Sequence, residues 1–481
     1  MVRFTHDVIV IGGGSAGLTT AGGCGRLGLR TALIERDRMG GECLNSGCVP
    51  SKALLAAAAQ AQSMRDAGRV GIQPVEPVVV WSDVRAHLAR VRAAIAPHDG
   101  RERFEAWGVE IIAGEARFTG HRTIRVGDRA LSAPRIVIAT GSRPRVPPID
   151  GLAGVPFLTN ETLWDLAVLP DHLVIVGAGP VGIEMAQAFR RFGSAVTLVG
   201  QRQPLTREDR DAASVLLACL AAEGVTLRFG IAVTAAHAVP EGVTLILADE
   251  SIVRGSHLLV ATGRVADLDA LDLEQAGIQA GPDGIVVDAG RRTSNRCVMA
   301  LGDCRAGPRL THAAGADGAI AVARIGFGLR SRAQPDRVPR VIYTEPELAQ
   351  LGLTEIEARK RHPAVRVVRQ DLADNDRAVT ENRPGGFGKL VLVRGRPVGV
   401  TLVGDHAGEL MLPWVMLMGR RTSLWSLSGA IVPYPTRGEL TKALAFAAYE
   451  DRLFGGPARW WAGMLAWFRR GLVSHSGSMS Q

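Results

Sequence analysis

The sequence predicts an α/β protein with two similar N-terminal domains and a third, C-terminal domain of α+β type. Two segments carry this prediction: residues 7–17 read DVIVIGGGSAG and residues 172–182 read HLVIVGAGPVG. Each gives a short apolar strand, a G-x-G-x-x-G turn, a helical pattern and a second strand, which form the βαβ unit of Rossmann-like dinucleotide-binding domains. From about residue 340 to 450, short strands alternate with helical segments, as in an α+β domain.

The composition is that of an ordinary globular protein. The 481 residues are 47% hydrophobic and 21% charged, and at roughly 150 residues per domain they suggest about three domains. The net charge of +9 is spread along the chain without a recognition motif, so no nucleic-acid partner is predicted. The N-terminal apolar run is too short for a signal peptide, and no stretch approaches the roughly 20 apolar residues that span a bilayer. Because six cysteines are also few for a secreted protein, we expect a cytoplasmic one.

The first glycine-rich turn predicts a dinucleotide site. Gly12, Gly14 and Gly17 let the backbone turn tightly and bring a pyrophosphate to the N-terminus of the next helix, where free N–H groups and the helix dipole favour negative charge. Glu35 ends the second strand, TALIE, where a carboxylate can accept hydrogen bonds from an adenosine ribose. Strand, glycines, helix and terminal acid together predict a bound dinucleotide.

The second glycine-rich turn predicts a nicotinamide cofactor that carries an extra phosphate. The turn contains three glycines at the motif spacing, Gly177, Gly179 and Gly182. Gly200 occupies the strand end where an acidic residue would select NAD and repel a 2′-phosphate, and Arg202 and Arg207 follow it. We therefore expect NADPH, with NADH as the alternative if both arginines merely lie on a solvated loop.

Two cysteines predict redox chemistry. Cys43 and Cys48 lie in GGECLNSGCVPSK, where Pro50 can start a helix and put Cys48 near its N-terminal end. The helix dipole then lowers the pKa of this thiol and raises its nucleophilicity at neutral pH. The spacing allows a small disulfide loop, and a pair of inert buried cysteines is the alternative.

The other four cysteines lack metal-ligand spacing, and no resident metal site is predicted. They are expected to pack as small apolar groups, with approach to the cofactor as the alternative for the last of them: Cys24, Cys219, Cys297 and Cys304.

Four motifs follow one another in the order of a known family. They are GGECLNSGCVPSK, Gly302-Asp303, LTH at 310–312 and TEPELAQLG at 344–352. From residue 5 to about 450 the chain resembles the class I pyridine nucleotide-disulfide oxidoreductases, which include lipoamide dehydrogenase, glutathione reductase and mercuric reductase. The resemblance implies FAD in the first site, with Asp303 on its ribityl chain. The other residues that it assigns to the two cofactors, with the histidine close to the flavin rather than in acid–base catalysis, are Lys52, Ala116, Thr140, Gly141, Ser142, Gly263, Leu310, Thr311 and His312.

The resemblance also implies the domain organisation and a homodimer. Residues 1–150 and 271–338 would form the FAD-binding domain, and residues 151–270 the NAD(P)H-binding domain. Residues 339–455 would form the dimerisation domain, whose C-terminal segment enters the partner's active site. Residues 456–481 would form an amphipathic helix and a disordered tail.

The resemblance assigns roles to four residues near the flavin. Cys48 would face the flavin as the charge-transfer thiolate, and Cys43 would be the exposed sulfur that exchanges with substrate. Lys52 and Glu184 would pair beside the flavin, where a buried cation stabilises the charge of the reduced ring; two plain surface ions are the alternative. Electrons would pass from NADPH through flavin and dithiol to an acceptor.

The segment VPYPTRGE departs from the pattern of the disulfide reductases. That pattern has a histidine immediately before Pro-Thr and a glutamate five residues later, so that imidazole can move the proton of the exchanging thiol. Here Tyr434 stands at the histidine position and Glu439 at the acid. A phenol with a pKa near 10 cannot do the same proton transfer at neutral pH. Mercuric reductases also have tyrosine there, although this sequence shows neither their N-terminal metal-capturing domain nor their C-terminal cysteine pair.

We therefore expect an FAD-dependent NAD(P)H oxidoreductase, similar to mercuric reductase, that reduces a metal ion, a metal-thiolate or another small oxidant. The first alternative is dihydrolipoamide dehydrogenase or another disulfide reductase. The second is a redox partner at a membrane surface that serves a quinone or a protein.

The C-terminal tail contains an apolar stripe at helical spacing, followed by Arg469 and Arg470. The members of the stripe are Trp460, Trp461, Met464, Leu465, Trp467 and Phe468. Packing against the dimer body is the favoured interpretation, and contact with an anionic membrane surface is the alternative. Residues after Val473 are predicted to be disordered.

Overall fold

The structure is a computed structural model that describes residues 3–419 and 421–476, with side chains through residue 470. It forms two compact units. The first extends to Thr206 and resumes over Leu216–Thr344, and the second comprises Arg207–Val215 and the chain from Glu345 onward.

The strands follow in chain order. They are β1 (Val8–Ile11), β2 (Thr31–Glu35), β3 (Val109–Ala113), β4 (Ala116–Gly120), β5 (Thr123–Val126), β6 (Arg129–Ser132), β7 (Arg135–Ile138), β8 (Ser142–Pro144), β9 (His172–Val176), β10 (Ala195–Gly200), β11 (Thr226–Phe229), β12 (Val233–Val239), β13 (Gly242–Leu247), β14 (Ile252–Gly255), β15 (His257–Val260), β16 (Arg264–Ala266), β17 (Ala280–Gly281), β18 (Gly284–Ile285), β19 (Val298–Ala300), β20 (Arg340–Ile342), β21 (Glu347–Gly352), β22 (Arg366–Asp371), β23 (Phe387–Val393) and β24 (Arg396–Gly404).

The α-helices are α1 (Ser15–Arg26), α2 (Gly41–Asn45), α3 (Cys48–Arg65), α4 (Trp81–Ile95), α5 (Arg101–Ala106), α6 (Pro180–Arg191), α7 (Arg210–Ala222), α8 (Thr311–Phe327), α9 (Glu355–Arg361), α10 (Asp376–Thr380), α11 (Leu412–Met418), α12 (Leu424–Ser428), α13 (Glu439–Ala447), α14 (Glu450–Leu453) and α15 (Gly456–Ser476).

The first sheet is parallel, with the strand order β19-β7-β1-β2-β3. All four residues of β1 are buried, as expected for a parallel strand covered on both faces. Ile9 and Ile11 face a core shared with the antiparallel sheet β4-β5-β6, whereas Val8 and Val10 face α1 and α8. Since parallel strands end at the same edge of a sheet, the segments after β1, β2, β7 and β19 lie together and form the candidate site.

The second sheet is also parallel, with the strand order β11-β10-β9-β15. The antiparallel sheet β12-β13-β14 covers part of it, and Val174 and Val176 of β9 share one core with Leu245 and Leu247 of β13. The turn after β9 therefore stands at a sheet edge in the same way as the turn after β1.

The second unit contains a sheet with the strand order β20-β21-β24-β23-β22, in which β21 to β24, β24 to β23 and β23 to β22 pair antiparallel. Leu390, Val400 and Leu402 of its central strands are buried, and α13 packs on β22 and β23. Two parallel sheets with helices and a C-terminal antiparallel sheet confirm the predicted fold class.

The C-terminal helix α15 is longer than expected. It continues to Ser476, so the disordered tail that was predicted to start after Val473 does not start there, because adding residues to an existing helix is easier than starting one. Residues 477–481, the rest of that predicted tail, lie outside the described residues. Among the described helices none is both long and apolar enough to cross a membrane.

Candidate active site

The turn after β1 can approach a phosphate closely because its residues are glycines. Gly12 has a φ of +106°, and a Cβ there would lie 2.3 Å from the carbonyl oxygen of Ala139. A Cβ at Gly17 would lie 1.8 Å from the carbonyl oxygen of Gly12. Gly14 caps α1 without a side-chain hydrogen bond, so the first N–H groups of the helix face outward. This geometry fits a pyrophosphate at the N-terminus of α1.

Glu35 lies beside this turn at the C-terminal end of β2. One carboxylate oxygen accepts the Gly13 N–H at 2.5 Å, and the other accepts the Asp37 N–H at 2.8 Å. These bonds fix the carboxylate, and each oxygen keeps a lone pair for a further donor. Turn and carboxylate together fit the pyrophosphate and ribose of a dinucleotide.

Asp303 lies just beyond β19, in the one-turn 3-10 helix Gly302–Cys304. Its Oδ2 accepts a hydrogen bond from the Ser142 hydroxyl at 2.9 Å. Burial raises the pKa of Asp303, and the Ser142 hydroxyl opposes this rise by stabilising the carboxylate. The Thr140 hydroxyl donates to the backbone oxygen of Asp267 at 2.7 Å. The predicted ribityl-binding acid is thus held in place by a side chain from β8.

The remaining predicted cofactor residues of this unit occupy several loops and element ends. Ala116 is buried in β4, whereas Gly141 and Gly263 have positive φ angles in the loops after β7 and β15. Leu310 caps α8 and Thr311 is its first residue. His312 is exposed, and its Nε2 lies 2.7 Å from the backbone oxygen of Pro339.

Cys43 and Cys48 lie on two consecutive helices. Cys43 is within α2, and Cys48 is the first residue of α3, as the position of Pro50 predicted. Cys48 Sγ lies 3.2 Å from the Thr311 hydroxyl. Cys43, within α2, is half-buried, and Cys48, at the start of α3, is exposed.

The two thiols have opposite ionisation preferences. A hydrogen bond from Cys43 lowers the pKa of Cys48, and the Thr311 hydroxyl and the Lys52 ammonium lower it further against the effect of burial. The same Cys48 contact, together with burial, raises the pKa of Cys43. The reduced pair therefore holds its negative charge on Cys48 and its proton on Cys43.

Lys52 and Glu184 form an ion pair one helical turn from Cys48. Lys52 Nζ lies 2.9 Å from Glu184 Oε2, and Glu184 Oε1 accepts the backbone N–H of Tyr343 at 3.0 Å. Lys52 Nζ also lies 4.4 Å from the centre of the Tyr343 ring. Glu184 is buried in α6, so both of its oxygens need these partners. The sequence pattern did not indicate Tyr343, because its contact is made by a backbone amide.

A half-buried network that the sequence analysis missed lies beside Cys43. The Arg264 guanidinium lies 2.6 Å from Glu42 Oε2 and donates to the Ser142 hydroxyl at 2.8 Å. Asn160 donates to Glu42 Oε1 at 2.9 Å and accepts from Arg264 at 3.1 Å. Burial raises the pKa of Glu42 to about 7, although Arg264 opposes the rise; Asp303 and Cys48 add to it. In the sequence, only the glutamate within GGECLNSGC could have indicated this network.

The turn after β9 repeats the geometry of the first turn. A Cβ at Gly177 would lie 2.3 Å from the carbonyl oxygen of Ala261, and one at Gly182 would lie 1.9 Å from that of Gly177. Gly179 caps α6 without a side-chain hydrogen bond, and a Cβ there would meet nothing within 4 Å. The N-terminus of α6 therefore fits a second pyrophosphate.

The two arginines predicted to select NADPH are placed differently. Arg202 is exposed just beyond the end of β10, close in sequence to Gly200. Arg207 belongs to the segment Arg207–Val215, which groups with the second unit. Of these two arginines, Arg202 is therefore the one that lies within the first unit, just beyond the end of β10.

Comparisons with known proteins place these features in one family. Residues 6–318 match the family described as pyridine nucleotide-disulphide oxidoreductase, and residues 338–445 match its dimerisation domain. The chain belongs to the pyridine nucleotide-disulphide oxidoreductase family. The family is thus the one that the motifs predicted.

Relatives within the family carry more than one activity name. The mercuric reductase of Streptomyces lividans is 31% identical over 458 residues, which are 93% of this chain and 97% of the relative. Dihydrolipoyl dehydrogenase 2 of Haloarcula marismortui is also 31% identical, over 92% of this chain and 96% of the relative. A solved structure, the Cu(II) complex of the HOCl-induced flavoprotein disulfide reductase RclA from Escherichia coli, is 28% identical. Its TM-score is 0.82, with 91% of this chain and 99% of that chain covered.

Membership in the family establishes the general activity. The protein is an FAD-dependent oxidoreductase with a disulfide redox centre, and it uses NAD(P)H. Its dimerisation domain makes it a homodimer.

Tyr434 and Glu439, the predicted C-terminal site residues, both lie in the second unit. Tyr434 is 70% exposed, and its hydroxyl donates to Asp376 Oδ2 at 2.7 Å. This hydrogen bond raises the pKa of Tyr434 above its ordinary value. Glu439 is the first residue of α13. Asp376, which the sequence did not single out, therefore keeps the phenol protonated and oriented.

The other cysteines lie away from the reduced pair. Cys24 and Cys304 are fully buried, and burial raises the pKa of Cys24 to about 11 and that of Cys304 to about 12. Burial raises the pKa of Cys219 to about 12, and Glu223 beside it adds to this. Cys297 accepts a hydrogen bond from Arg122 Nε at 3.1 Å. Three of these thiols thus stay protonated at neutral pH.

Proposed function

We propose that the protein uses NADPH to reduce a metal ion, a metal-thiolate complex or another small oxidant that needs no proton from the enzyme. The observation that carries this proposal is Tyr434, a phenol with a raised pKa that is hydrogen-bonded to Asp376. Reduction of a disulfide consumes protons, so it needs a group that moves them at neutral pH. Reduction of a metal ion consumes electrons alone.

The residues around the cysteines suit transfer of electrons through a dithiol. Bound FAD would supply the two-electron carrier between NAD(P)H and the disulfide. The Thr311 hydroxyl and Lys52 stabilise the Cys48 thiolate, while Cys43 keeps its proton and releases it to solvent when the acceptor takes two electrons and the pair returns to the disulfide. Glu184 fixes the Lys52 ammonium at 2.9 Å, so positive charge is kept beside Cys48. Soft metal ions bind thiolates well, so the same pair can receive the acceptor.

The names of similar proteins support a metal acceptor. A relative is named a mercuric reductase, and a structural neighbour is described as a Cu(II) complex. We propose the same class of acceptor for this chain, in a cytoplasmic setting where thiols remain reduced.

NADPH is the nucleotide that we propose. No acidic residue stands at Gly200, and Arg202 is exposed just beyond that strand end, where a guanidinium can bind a 2′-phosphate. We expect Arg202→Glu to lower kcat/KM for NADPH by at least about tenfold and to leave that for NADH unchanged or higher. Equal losses with both nucleotides would contradict this assignment.

The acceptor is tested by steady-state NADPH oxidation with the FAD-loaded enzyme and a panel of Hg²⁺, Cu²⁺, lipoamide, glutathione disulfide and quinones. We expect the highest kcat/KM with a metal ion or its thiolate complex. Cys43→Ser should abolish this turnover, which separates enzymatic reduction from reaction of the metal with surface groups. Turnover of lipoamide or glutathione disulfide at equal or higher kcat/KM would overturn the proposal.

Dihydrolipoyl dehydrogenase is the second candidate, because a relative of that name is 31% identical over nearly the whole chain. Tyr434→His separates the two candidates. If the missing imidazole limits disulfide turnover, this variant should gain lipoamide activity by at least about tenfold while its metal reduction changes little. Vigorous lipoamide turnover by the unmodified enzyme would favour the second candidate.

A further inference from the structure

The C-terminal helix α15 lies outside the segments that the family shares. The match to the dimerisation domain ends at residue 445, whereas α15 spans Gly456–Ser476. Its sequence, GPARWWAGMLAWFRRGLVSHS, contains three tryptophans and one phenylalanine. Neither the redox site nor the dimerisation domain accounts for this composition.

The aromatic and the basic residues of α15 occupy opposite sides of the helix. At about 100° per residue, the six apolar side chains of the stripe fall within an arc of about 160°. Arg459, Arg469 and Arg470 fall within a separate arc of about 100° on the other side, together with small residues such as Ala462 and Ala466. The helix is therefore amphipathic along the length for which side chains are described.

The apolar side of α15 is exposed. Trp460 is 68% exposed and Trp467 is 67% exposed, and Trp461, Leu465 and Phe468 are exposed as well. A contiguous apolar surface of this kind marks an interaction site rather than an ordinary soluble surface. Tryptophan is enriched where one end of a ring is apolar and the other is wet, as at a membrane interface.

The charge of α15 favours an anionic lipid surface as the partner that binds its apolar side. Residues 456–476 contain no aspartate or glutamate, so the three arginines have no acidic partner within the helix. Anionic phospholipids attract basic residues near the surface, and the aromatic side can then enter the boundary between head groups and acyl chains. A protein partner would satisfy the apolar side but would leave the excess of arginine unexplained.

We propose that α15 lies flat on an anionic phospholipid surface and attaches the dimer to it peripherally. The tryptophans enter the interface, and the arginines contact lipid phosphates. Binding of an interfacial helix of this kind depends on both its apolar side and its basic side.

Vesicle flotation with the full-length FAD-loaded dimer tests the proposal. Vesicles of phosphatidylcholine with phosphatidylglycerol should carry the protein upward, whereas vesicles of phosphatidylcholine alone should carry little. Arg459→Gln with Arg469→Gln should weaken binding to the anionic vesicles by about fivefold for each charge removed, and high salt should do the same to the unmodified protein. Equal binding to both vesicle types would contradict the proposal.

A second variant tests the aromatic side. Trp460→Ser with Trp467→Ser should lower binding to anionic vesicles by more than about tenfold, whereas the matched control Ala462→Ser with Ala466→Ser should not. Both variants should keep their FAD and their NADPH oxidation, which shows that the body is folded. If the tryptophan variant binds vesicles normally but sediments as a monomer, a second copy of the chain covers α15 and the proposal is overturned.

Discussion

Single side chains around Cys48 decide how readily its thiol ionises. The hydrogen bond from Cys43 lowers its pKa most, the Lys52 ammonium also lowers it, and the Glu184 carboxylate raises it. Lys52 and Glu184 thus have opposite effects on the same sulfur although they are bound to each other. Replacing either residue with an uncharged one therefore measures the effect of its charge on the pKa of Cys48.

We expect Lys52→Met to raise the pKa of Cys48. The ammonium stabilises the thiolate, so its loss should move the ionisation midpoint upward by about one pH unit. The absorbance band between the Cys48 thiolate and the flavin, recorded against pH in the two-electron-reduced enzyme, measures this midpoint. Because the band is lost as the pH falls through the pKa, it should disappear at higher pH in the variant.

Glu184→Gln is the matched control for this prediction. It removes a negative charge, so the midpoint should move downward or stay in place. An upward shift in both variants would show that the two residues act through packing rather than charge.

Glu42 is the second residue whose proton we expect to matter. Burial raises its pKa to about 7 from an ordinary value of 4.5. Because this pKa is raised in the folded protein, the neutral form of Glu42 stabilises the fold at pH values below the pKa of the residue in the unfolded chain. This contribution to stability is lost as the pH rises through about 7. Difference infrared spectra of the enzyme at about pH 5.5 and about pH 8.5 should show loss of a buried carboxylic acid band.

The Glu42→Gln variant should lack this band, since an amide does not titrate. Arg264→Met supplies a further check, because loss of the opposing cation should move the band's disappearance to higher pH. A band that survives in Glu42→Gln would belong to another acid, and Asp303 is the nearest candidate by burial.

At the scale of elements, an ion cluster around the buried Lys389 joins β23 to the start of α7 and to α9 within the second unit. Lys389 Nζ lies 2.9 Å from Asp209 Oδ1, 2.5 Å from Asp211 and 3.4 Å from Glu355. Lys389 and Asp209 are buried, whereas Asp211 is exposed. Burial lowers the pKa of Lys389, but the bonds to Asp211 and Asp209 outweigh it and the net pKa is raised.

We expect Lys389→Met to destabilise the protein by roughly 3 kcal/mol, because Asp209 is left as a buried unpaired carboxylate. The matched variant Asp211→Asn should cost less than about 1 kcal/mol, since that aspartate remains in contact with water. The urea midpoints of unfolding of the FAD-loaded proteins, compared at one protein concentration, measure both effects. Equal losses of stability in the two variants would show that the burial of Asp209 does not determine how much the ion cluster stabilises the protein.

At the scale of the whole molecule, the proposed function sends electrons from the nucleotide through the flavin and the two sulfurs to the acceptor. Cys48→Ser and Cys43→Ser should each lower turnover with metal acceptors by more than about a hundredfold. NADPH oxidation with a one-electron dye should persist in both, since a dye can take electrons without the dithiol. Loss of dye reduction would place the defect in cofactor binding instead.

Much of the architecture follows from local sequence patterns. The two G-x-G-x-x-G turns require glycine at Gly12 and Gly177, because a Cβ at either position would come within 2.3 Å of a carbonyl oxygen. β1 is a run of buried apolar residues, as a parallel strand covered on both faces must be. The position of Cys48 at the start of α3 likewise depends on residues close to it in the chain.

The interactions that tune the site depend instead on residues that are distant in the chain. Arg264 reaches Glu42, and the Tyr343 amide reaches Glu184, because strands and helices from separate segments end at the same edge. Periodicity and motif spacing carry no information about such pairs.

The sequence alone therefore determined the fold class, the family, the two nucleotide turns and the cysteine pair, since each rests on short-range backbone geometry. Only the tertiary structure decided which charges surround the thiols and that Asp376 holds the Tyr434 phenol. The physical reason is range: steric and helical constraints act between neighbours in the chain, whereas burial and ion pairing act between neighbours in space.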